Sequence, residues 1–238
     1  MDIPILYEDD AILVINKPSG IVVNRAQSVH EKTIQDWVED ENKIQKESIT
    51  AENSDFFNRS GIVHRIDKET SGILIIAKSF EFFLNLQQQF KERLVKKTYL
   101  AYVHGVLVPP EGEIHAPVGR LPWSPERFGI VPGGKDSITK YKVVRIQKSD
   151  DGKEFISLVE LYPETGRTHQ IRVHLKYVNH PIIGDYLYAG RKTSKNDRKW
   201  APRVMLHAWK IHFLHPKSNK PLAFEAPIPE DMKSIDYG

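Results

Sequence analysis

A polar string between two apolar segments holds residue types suited to catalysis. It reads Gly61-Ile62-Val63-His64-Arg65-Ile66-Asp67-Lys68-Glu69-Thr70-Ser71-Gly72, and a polar loop flanked by strands is a common place for a site. Asp67 offers a carboxylate, Arg65 a neighbouring cation and His64 a group able to carry a proton, while the terminal glycines are candidate hinges. For any single Asp, a solvated side chain in an Asx-type turn is the commoner alternative.

A second string combines cations with the start of a predicted helix. It reads Thr165-Gly166-Arg167-Thr168-His169-Gln170-Ile171-Arg172-Val173-His174-Leu175. Apolar residues at helical spacing follow Thr168, so we predict a helix over about 169–178 with Thr168 as its N-cap. Free N–H groups at that helix start could hold an anion. Successive helical residues are rotated by about 100°, so Arg172 lies off the apolar stripe of Ile171 and Leu175. It is therefore either a surface arginine or the partner of a carboxylate from another segment.

Hydrophobic periodicity predicts the elements that position these strings. Residues 5–23 indicate strand, turn, strand, turn, strand, and 39–58 indicate a polar surface excursion without periodicity. Helices are predicted around Ile34, Trp37 and Val38 and around Phe83, Leu86, Phe90 and Leu94; further strands are predicted at 73–77, 98–108, 139–146, 155–162 and 205–214. Because the strands arrive in runs, we expect an α+β fold with a mixed, mostly antiparallel central sheet flanked by helices.

Composition narrows the class of protein. The 238 residues are 40% hydrophobic and 27% charged, as in an ordinary globular protein. The absence of cysteine excludes disulfides, thiolate nucleophiles and cysteine-ligated metal sites. No targeting signal or long apolar run is present, so we expect a cytoplasmic protein without membrane association. A single catalytic domain over 1–238 is the simplest partition.

The net charge of +3 is unevenly distributed along the chain. Basic side chains crowd one stretch, in which Asp197 is the only acid: Arg191, Lys192, Lys195, Arg198, Lys199 and Arg203. Such segregation suits a cationic face for a phosphate backbone. A solvated basic loop is the commoner explanation for a charge run taken alone.

Five strings, in order, resemble those of the RluA-type pseudouridine synthases. The strings beginning at His64 and at Gly166 resemble the family's two most specific motifs. Three weaker strings agree with them: Lys17-Pro18-Ser19-Gly20, Lys97-Thr98-Tyr99-Leu100-Ala101, and Leu206-His207-Ala208 through His215-Pro216. Together they span most of the chain, which makes the ordered set far more specific than any single string.

The resemblance implies a role for each matched residue. Asp67 would be the catalytic nucleophile or acid–base group, Tyr99 would pack against the target uracil, and Arg172 would pair with Asp67. Arg65 would enter the helix vacated by the flipped nucleotide. RNA contacts would come from His64, Arg167, Thr168, His169, Gln170 and Lys17. The implied reaction is isomerisation of uridine in ribosomal or transfer RNA by a monomer without cofactor, metal or obligate protein partner.

Three features depart from the family pattern, and three other functions are alternatives. Ile66 replaces the usual Leu, which should preserve packing, and the polar segment 39–58 is longer than in the compact members. We also expect no small N-terminal S4 domain of the kind that many relatives have. The string Gly129–Asp136 lacks the Ser/Thr of a phosphate-binding P-loop, and His169 and His174 are misspaced for a helical metal site. An RNA-binding module without catalysis is the third alternative, with Trp123, Phe128 and Trp200 available for stacking on bases.

Overall fold

The computed structural model describes residues 1–27, 29–44, 50–148 and 154–236. The chain divides into two compact units: unit 1 comprises Met1–Lys96 and Ala208–Pro227, and unit 2 comprises Lys97–His207 and Ile228–Gly238. Within the described residues, no helix is long and apolar enough to cross a membrane.

Eleven strands and six helices are assigned within the described residues. The strands are β1 Ile5–Glu8, β2 Ile12–Lys17, β3 Ser71–Ala77, β4 Lys96–His104, β5 Glu111–His115, β6 Val118–Leu121, β7 Ser124–Ile130, β8 Ile138–Lys148, β9 Phe155–Pro163, β10 Leu206–Leu214 and β11 Pro221–Glu225. The helices are α1 Ile34–Asp40, α2 Ser54–Asn58, α3 Phe80–Lys91, α4 Gln170–Tyr177, α5 Arg191–Asp197 and α6 Glu230–Asp236. The predicted α+β class is confirmed.

Unit 1 is a sheet covered by helices. Strand β2 pairs antiparallel with β1 and β3, β10 is the next strand after β3, and β11 pairs antiparallel with β10. All seven residues of β3 are buried, as expected for its continuous apolar run. Phe83 and Leu86 of α3 and Phe56 of α2 belong to the hydrophobic cluster that includes alternate residues of β3.

Two predictions for unit 1 were wrong in part. Residues 21–23 form no strand, because the carbonyls of Val22 and Val23 accept hydrogen bonds from the N–H groups of Ile34 and Gln35 at the start of α1. The excursion at 39–58 is not all surface, since it contains α2 and the fully buried Phe56. Residues 45–49 of that excursion lie outside the described part of the chain.

The two glycines that flank the first string are sites of close packing, not the hinges that we predicted. Gly72 has φ +111°, and a Cβ there would lie 2.2 Å from the carbonyl oxygen of Ala208; at Gly61, with φ +73°, a Cβ would lie 2.1 Å from that of Ala77. Only glycine tolerates such positions without strain. The Asp67 segment is therefore joined to β3 by a fixed connection.

We expect Gly72→Ala to lower the free energy of unfolding by more than about 2 kcal/mol, since it adds a steric clash to backbone strain. Gly20→Ala is the matched control, because Gly20 also has positive φ but nothing lies within 4 Å of its added Cβ. Urea denaturation of both variants measures the difference. Equal losses at the two positions would mean that the contact with Ala208 is unimportant.

Unit 2 contains the strand order β4-β9-β8-β5 with antiparallel register throughout, and a separate antiparallel hairpin of β6 and β7. Val173 of α4 packs with Val118 and Tyr188 in a small core cluster. The sequence did not predict β5, β6, β7 or α6. The basic stretch that begins at Arg191 forms the short helix α5 and is not simply a loop.

His104, the last residue of β4, lies between two carboxylates, one of which belongs to α5. Its Nδ1 lies 3.1 Å from Glu154 and its Nε2 3.1 Å from the buried Asp197, which also accepts the N–H of Gly184 at 2.9 Å. Burial by itself would lower the pKa of His104. The hydrogen bonds and charges of Asp197 and then Glu154 outweigh that effect and raise the pKa.

Because the folded pKa is raised, the stability contributed by charged His104 is complete below the unfolded value near 6.5 and is lost as the pH rises through the folded pKa. We therefore expect His104→Gln to cost about 2 kcal/mol of unfolding free energy near pH 6 and clearly less near pH 9. Urea denaturation at both pH values tests this, with exposed His212→Gln as control. A loss that grows with pH would contradict the assignment.

Candidate active site

In unit 1, Asp67 lies in the loop before β3. Its side chain is half-buried, and its carbonyl accepts the N–H of Thr70 at 3.1 Å, which closes a turn. The Asp67 carboxylate is thus neither fully solvated nor sealed in the core. That environment suits a catalytic group that must be shielded from bulk water and still contact a substrate.

The N-terminal string anchors the loop just beyond Asp67. The ammonium of Lys17 is fully buried and donates to the carbonyls of Pro18, Ile21 and Lys68 at 2.8, 2.9 and 3.1 Å. Ser19 Oγ donates to the carbonyl of Glu69 at 2.7 Å. A buried ammonium engaged in this way is poorly placed for the direct RNA contact that we predicted. Lys17 fits the role of a positioning residue.

His64 and Arg65 differ in their surroundings. His64 Nε2 accepts the N–H of Ile75 at 3.1 Å, and its ring lies 4.9 Å from that of Phe90, centroid to centroid. His64 therefore fastens the loop to β3. Arg65 is exposed and forms no ion pair within the described residues, so its guanidinium is available to a ligand.

In unit 2, Arg172 is buried and paired with a carboxylate. Its Nε and one terminal nitrogen donate to Asp185 at 2.7 and 3.0 Å, and its guanidinium carbon lies 5.0 Å from the centroid of the Tyr188 ring. The alternative of a surface arginine is wrong. Asp185 also accepts the N–H groups of Leu187 and Tyr188. Because Asp67 belongs to the other unit, its predicted pairing with Arg172 stays a prediction.

Among the residues just before Arg172, the buried Gln170 is engaged in hydrogen bonds to backbone and side-chain groups. Gln170 is buried; its oxygen accepts Thr165 Oγ1 and the N–H of Arg167, and its nitrogen donates to the carbonyl of Ile138. His169, not Thr168, is the N-cap of α4 and adopts the left-handed conformation at φ 56° without a side-chain cap. That geometry corrects the predicted cap. Arg167, Thr168 and His169 are half-buried, so part of each remains accessible to a ligand.

Tyr99 and Lys97 lie near the start of β4. Tyr99 pairs in register with Leu161 of β9 and is half-buried, so part of the residue remains accessible. Burial lowers the pKa of the Lys97 ammonium to about 8. Lys97 can thus lose its proton near neutral pH more readily than an ordinary lysine.

Sequence reasoning missed Asp185, the carboxylate that holds Arg172. A signal was present, because Asp185 follows the apolar pair Ile182-Ile183 and precedes Tyr186-Leu187-Tyr188. A charge in such a setting is buried only when it is paired. Nothing in the sequence said which cation would be its partner.

Known proteins resemble the chain both in sequence and in structure. The model of the RNA pseudouridylate synthase family matches residues 11–177, a range that contains Asp67, Tyr99 and Arg172. The chain is 37% identical to an uncharacterized RNA pseudouridine synthase of Bacillus subtilis, YhcT, over 98% of its own length and 71% of that relative's length.

Ribosomal large subunit pseudouridine synthase D of Neisseria meningitidis is 36% identical over 98% of the chain, which spans only 60% of that relative's length. Among solved structures, human RNA pseudouridylate synthase domain containing 1 aligns with a TM-score of 0.71 and 27% identity, covering 95% of this chain and 83% of the human one. The likeness thus extends over almost the whole chain in both sequence and fold.

Proposed function

The chain belongs to the RNA pseudouridylate synthase family, a family of isomerases, and from that membership we propose that it converts specific uridines to pseudouridine in structured RNA. The observation that carries the proposal is the Asp67 loop. Its string matches the family motif residue by residue except at Ile66. The buried Lys17 ammonium donates to the carbonyl of Lys68 in this loop and so holds its backbone in place.

Ribosomal RNA is the substrate class that we favour. The support is the name of the Neisseria meningitidis relative, which acts on the large ribosomal subunit. Transfer RNA is the second substrate class to be tested. A cytoplasmic location fits either RNA.

The reaction requires one bond to be exchanged for another. The bond between N1 of uracil and C1′ of the ribose breaks, the base turns, and C5 bonds to C1′ while the C5 hydrogen leaves as a proton and N1 gains one. Oxidation state and phosphate content are unchanged, so the chemistry needs no redox partner or phosphoryl donor. What it does need is an everted base, a carboxylate and an enclosed site.

The described side chains can supply these requirements. We assign the carboxylate to Asp67, which acts on the sugar or the base as nucleophile or as acid–base group. Tyr99 packs against the uracil, and Arg172 pairs with the Asp67 carboxylate. Arg65 inserts its guanidinium plane where the flipped nucleotide stood, replacing part of the lost stacking.

The substrate proposal is tested with RNA transcripts that carry tritium at C5 of uridine. Incubation of the protein with large-subunit ribosomal RNA, in buffer alone, should release tritium into water because C5 loses its hydrogen. A mixture of transfer RNA transcripts tests the second substrate class in parallel. Release from neither RNA would favour the catalytically silent binding module and overturn the proposed activity.

A further inference from the structure

Unit 1 contains a cavity of about 580 Å³, and Arg65 is the one lining residue to which the proposed reaction gives a role. It is lined by Asn24, Arg25, Gln35, Phe57, Asn58, Arg59 and Arg65. None of the three proposed catalytic residues lines it. Its size falls within the range of small-ligand sites, and three of its seven lining residues are arginines.

Helix α1 holds the two walls of this cavity together. Buried Gln35 accepts the N–H of Arg25 at 3.2 Å and donates to the carbonyl of Asn58 at 2.9 Å, so one side chain joins both walls. Glu39 makes a second link, since it accepts from Arg25 at 3.0 Å and also from Ser60. A cavity fixed in this way needs little ordering when a ligand binds.

The charges inside the cavity are mostly balanced. Arg25 pairs with Asp36 at 2.6 Å and with Glu39, and Arg59 pairs with Asp55 at 2.9 Å. Arg65 has no carboxylate partner in the part of the chain that the structure describes. The guanidinium that is left for an anion is therefore the one two residues before Asp67.

Two amides add groups that can read a base. The half-buried Asn24 and the exposed Asn58 line the cavity, and neither side chain hydrogen-bonds to another described residue. An asparagine amide presents one acceptor and two donors, the set that binds base edges bidentately. Phe57 and the guanidinium planes provide surfaces on which a splayed base stacks.

We propose that this cavity binds an unpaired nucleotide of the substrate RNA other than the target uridine. The guanidinium of Arg65, while its face stacks at the flipped position, donates from its edge to the phosphate of this nucleotide. Asn24 and Asn58 read the edge of the base. The inference rests on the proposed RNA substrate and adds sequence selection to it. It also gives a purpose to the excursion at 39–58, whose helix α2 supplies Phe57 and Asn58.

The test measures coupling between the cavity and one nucleotide. Fluorescein-labelled hairpins copied from the loops of large-subunit ribosomal RNA are prepared with a single abasic site at each loop position in turn. Affinities are measured by anisotropy for the wild type, for Asn24→Ala/Asn58→Ala and for Asn85→Ala. Asn85 is an exposed amide on α3, remote in sequence from the cavity lining, and serves as the matched control.

We expect one abasic position outside the target uridine to weaken binding to the wild type and to the control about tenfold. The same position should weaken binding to the double variant less than about twofold. Asn58→Asp, which replaces the NH₂ donor by a charged acceptor, should lose the same selectivity and provides a second variant should the first fold poorly. The same response in all proteins at every position would overturn the proposal.

The outcome separates this proposal from the proposed function. Loss of coupling in the double variant without tritium release from wild-type reactions would leave the cavity as a nucleotide site on a protein that is not an isomerase. Tritium release without any coupled position would retain the isomerase and remove the nucleotide site.

Discussion

Replacement of Asp67 by Asn is expected to lower the single-turnover rate of pseudouridine formation by at least about 10⁴-fold, the loss typical of removing a central catalytic group. Asparagine keeps the shape of the side chain but is neither a nucleophile nor a base. The loop should keep its position, because Lys17 and Ser19 hold it through backbone carbonyls that the substitution does not touch.

Two measurements make the Asp67 result specific to chemistry. RNA affinity by anisotropy should change less than about threefold, since an uncharged isostere leaves the RNA contacts in place. Glu69→Gln is the matched control, because it removes a negative charge from the same loop, and its rate should fall less than about tenfold. Equal rates for the Asp67 and Glu69 variants would refute the assignment of Asp67.

The second large effect concerns the buried pair of Arg172 and Asp185. Asp185→Ala should lower the free energy of unfolding by about 3–5 kcal/mol, because it removes the carboxylate that accepts two hydrogen bonds from a buried guanidinium. Two backbone N–H groups lose their acceptor as well. Thermal or urea unfolding measures the loss directly.

A double variant separates stability from catalysis at this pair. Arg172→Met/Asp185→Leu replaces both charges by apolar side chains and should regain more than half of the lost stability. Its single-turnover rate should nevertheless stay at least about 100-fold below the wild type, as expected when a charged group of the site is removed. A stable double variant with normal activity would show that Arg172 serves the fold alone.

The elements with a clear apolar pattern, either a continuous run or helical spacing, could be predicted from the sequence. The fully buried β3 and the helix α3 are clear in Ile73–Ala77 and in the spacing of Phe83 and Leu86. Residues 21–23 have the same apolar character as a strand, but their carbonyls hydrogen-bond to the start of α1. Apolar composition does not distinguish these two patterns of backbone hydrogen bonding.

Candidate residues were identified more readily than their partners. The strings around Asp67 and Arg172 follow from the resemblance, whereas Asp185 and the cavity beside Arg65 depend on contacts between segments distant in sequence. Lys17 shows that the role of an identified residue also depends on contacts that the sequence does not reveal. A lysine in a polar string suggests an RNA contact, and only the three carbonyls around its buried ammonium show that it positions the loop.

The most direct measurement labels the RNA product chemically. Large-subunit ribosomal RNA without modifications is incubated with equal amounts of wild-type protein and the Asp67→Asn variant, treated with a carbodiimide that marks pseudouridine, and copied by primer extension. A new stop should appear with the wild type and be missing with the variant. The same stop at equal strength with both proteins would contradict an Asp67-dependent isomerisation of uridine.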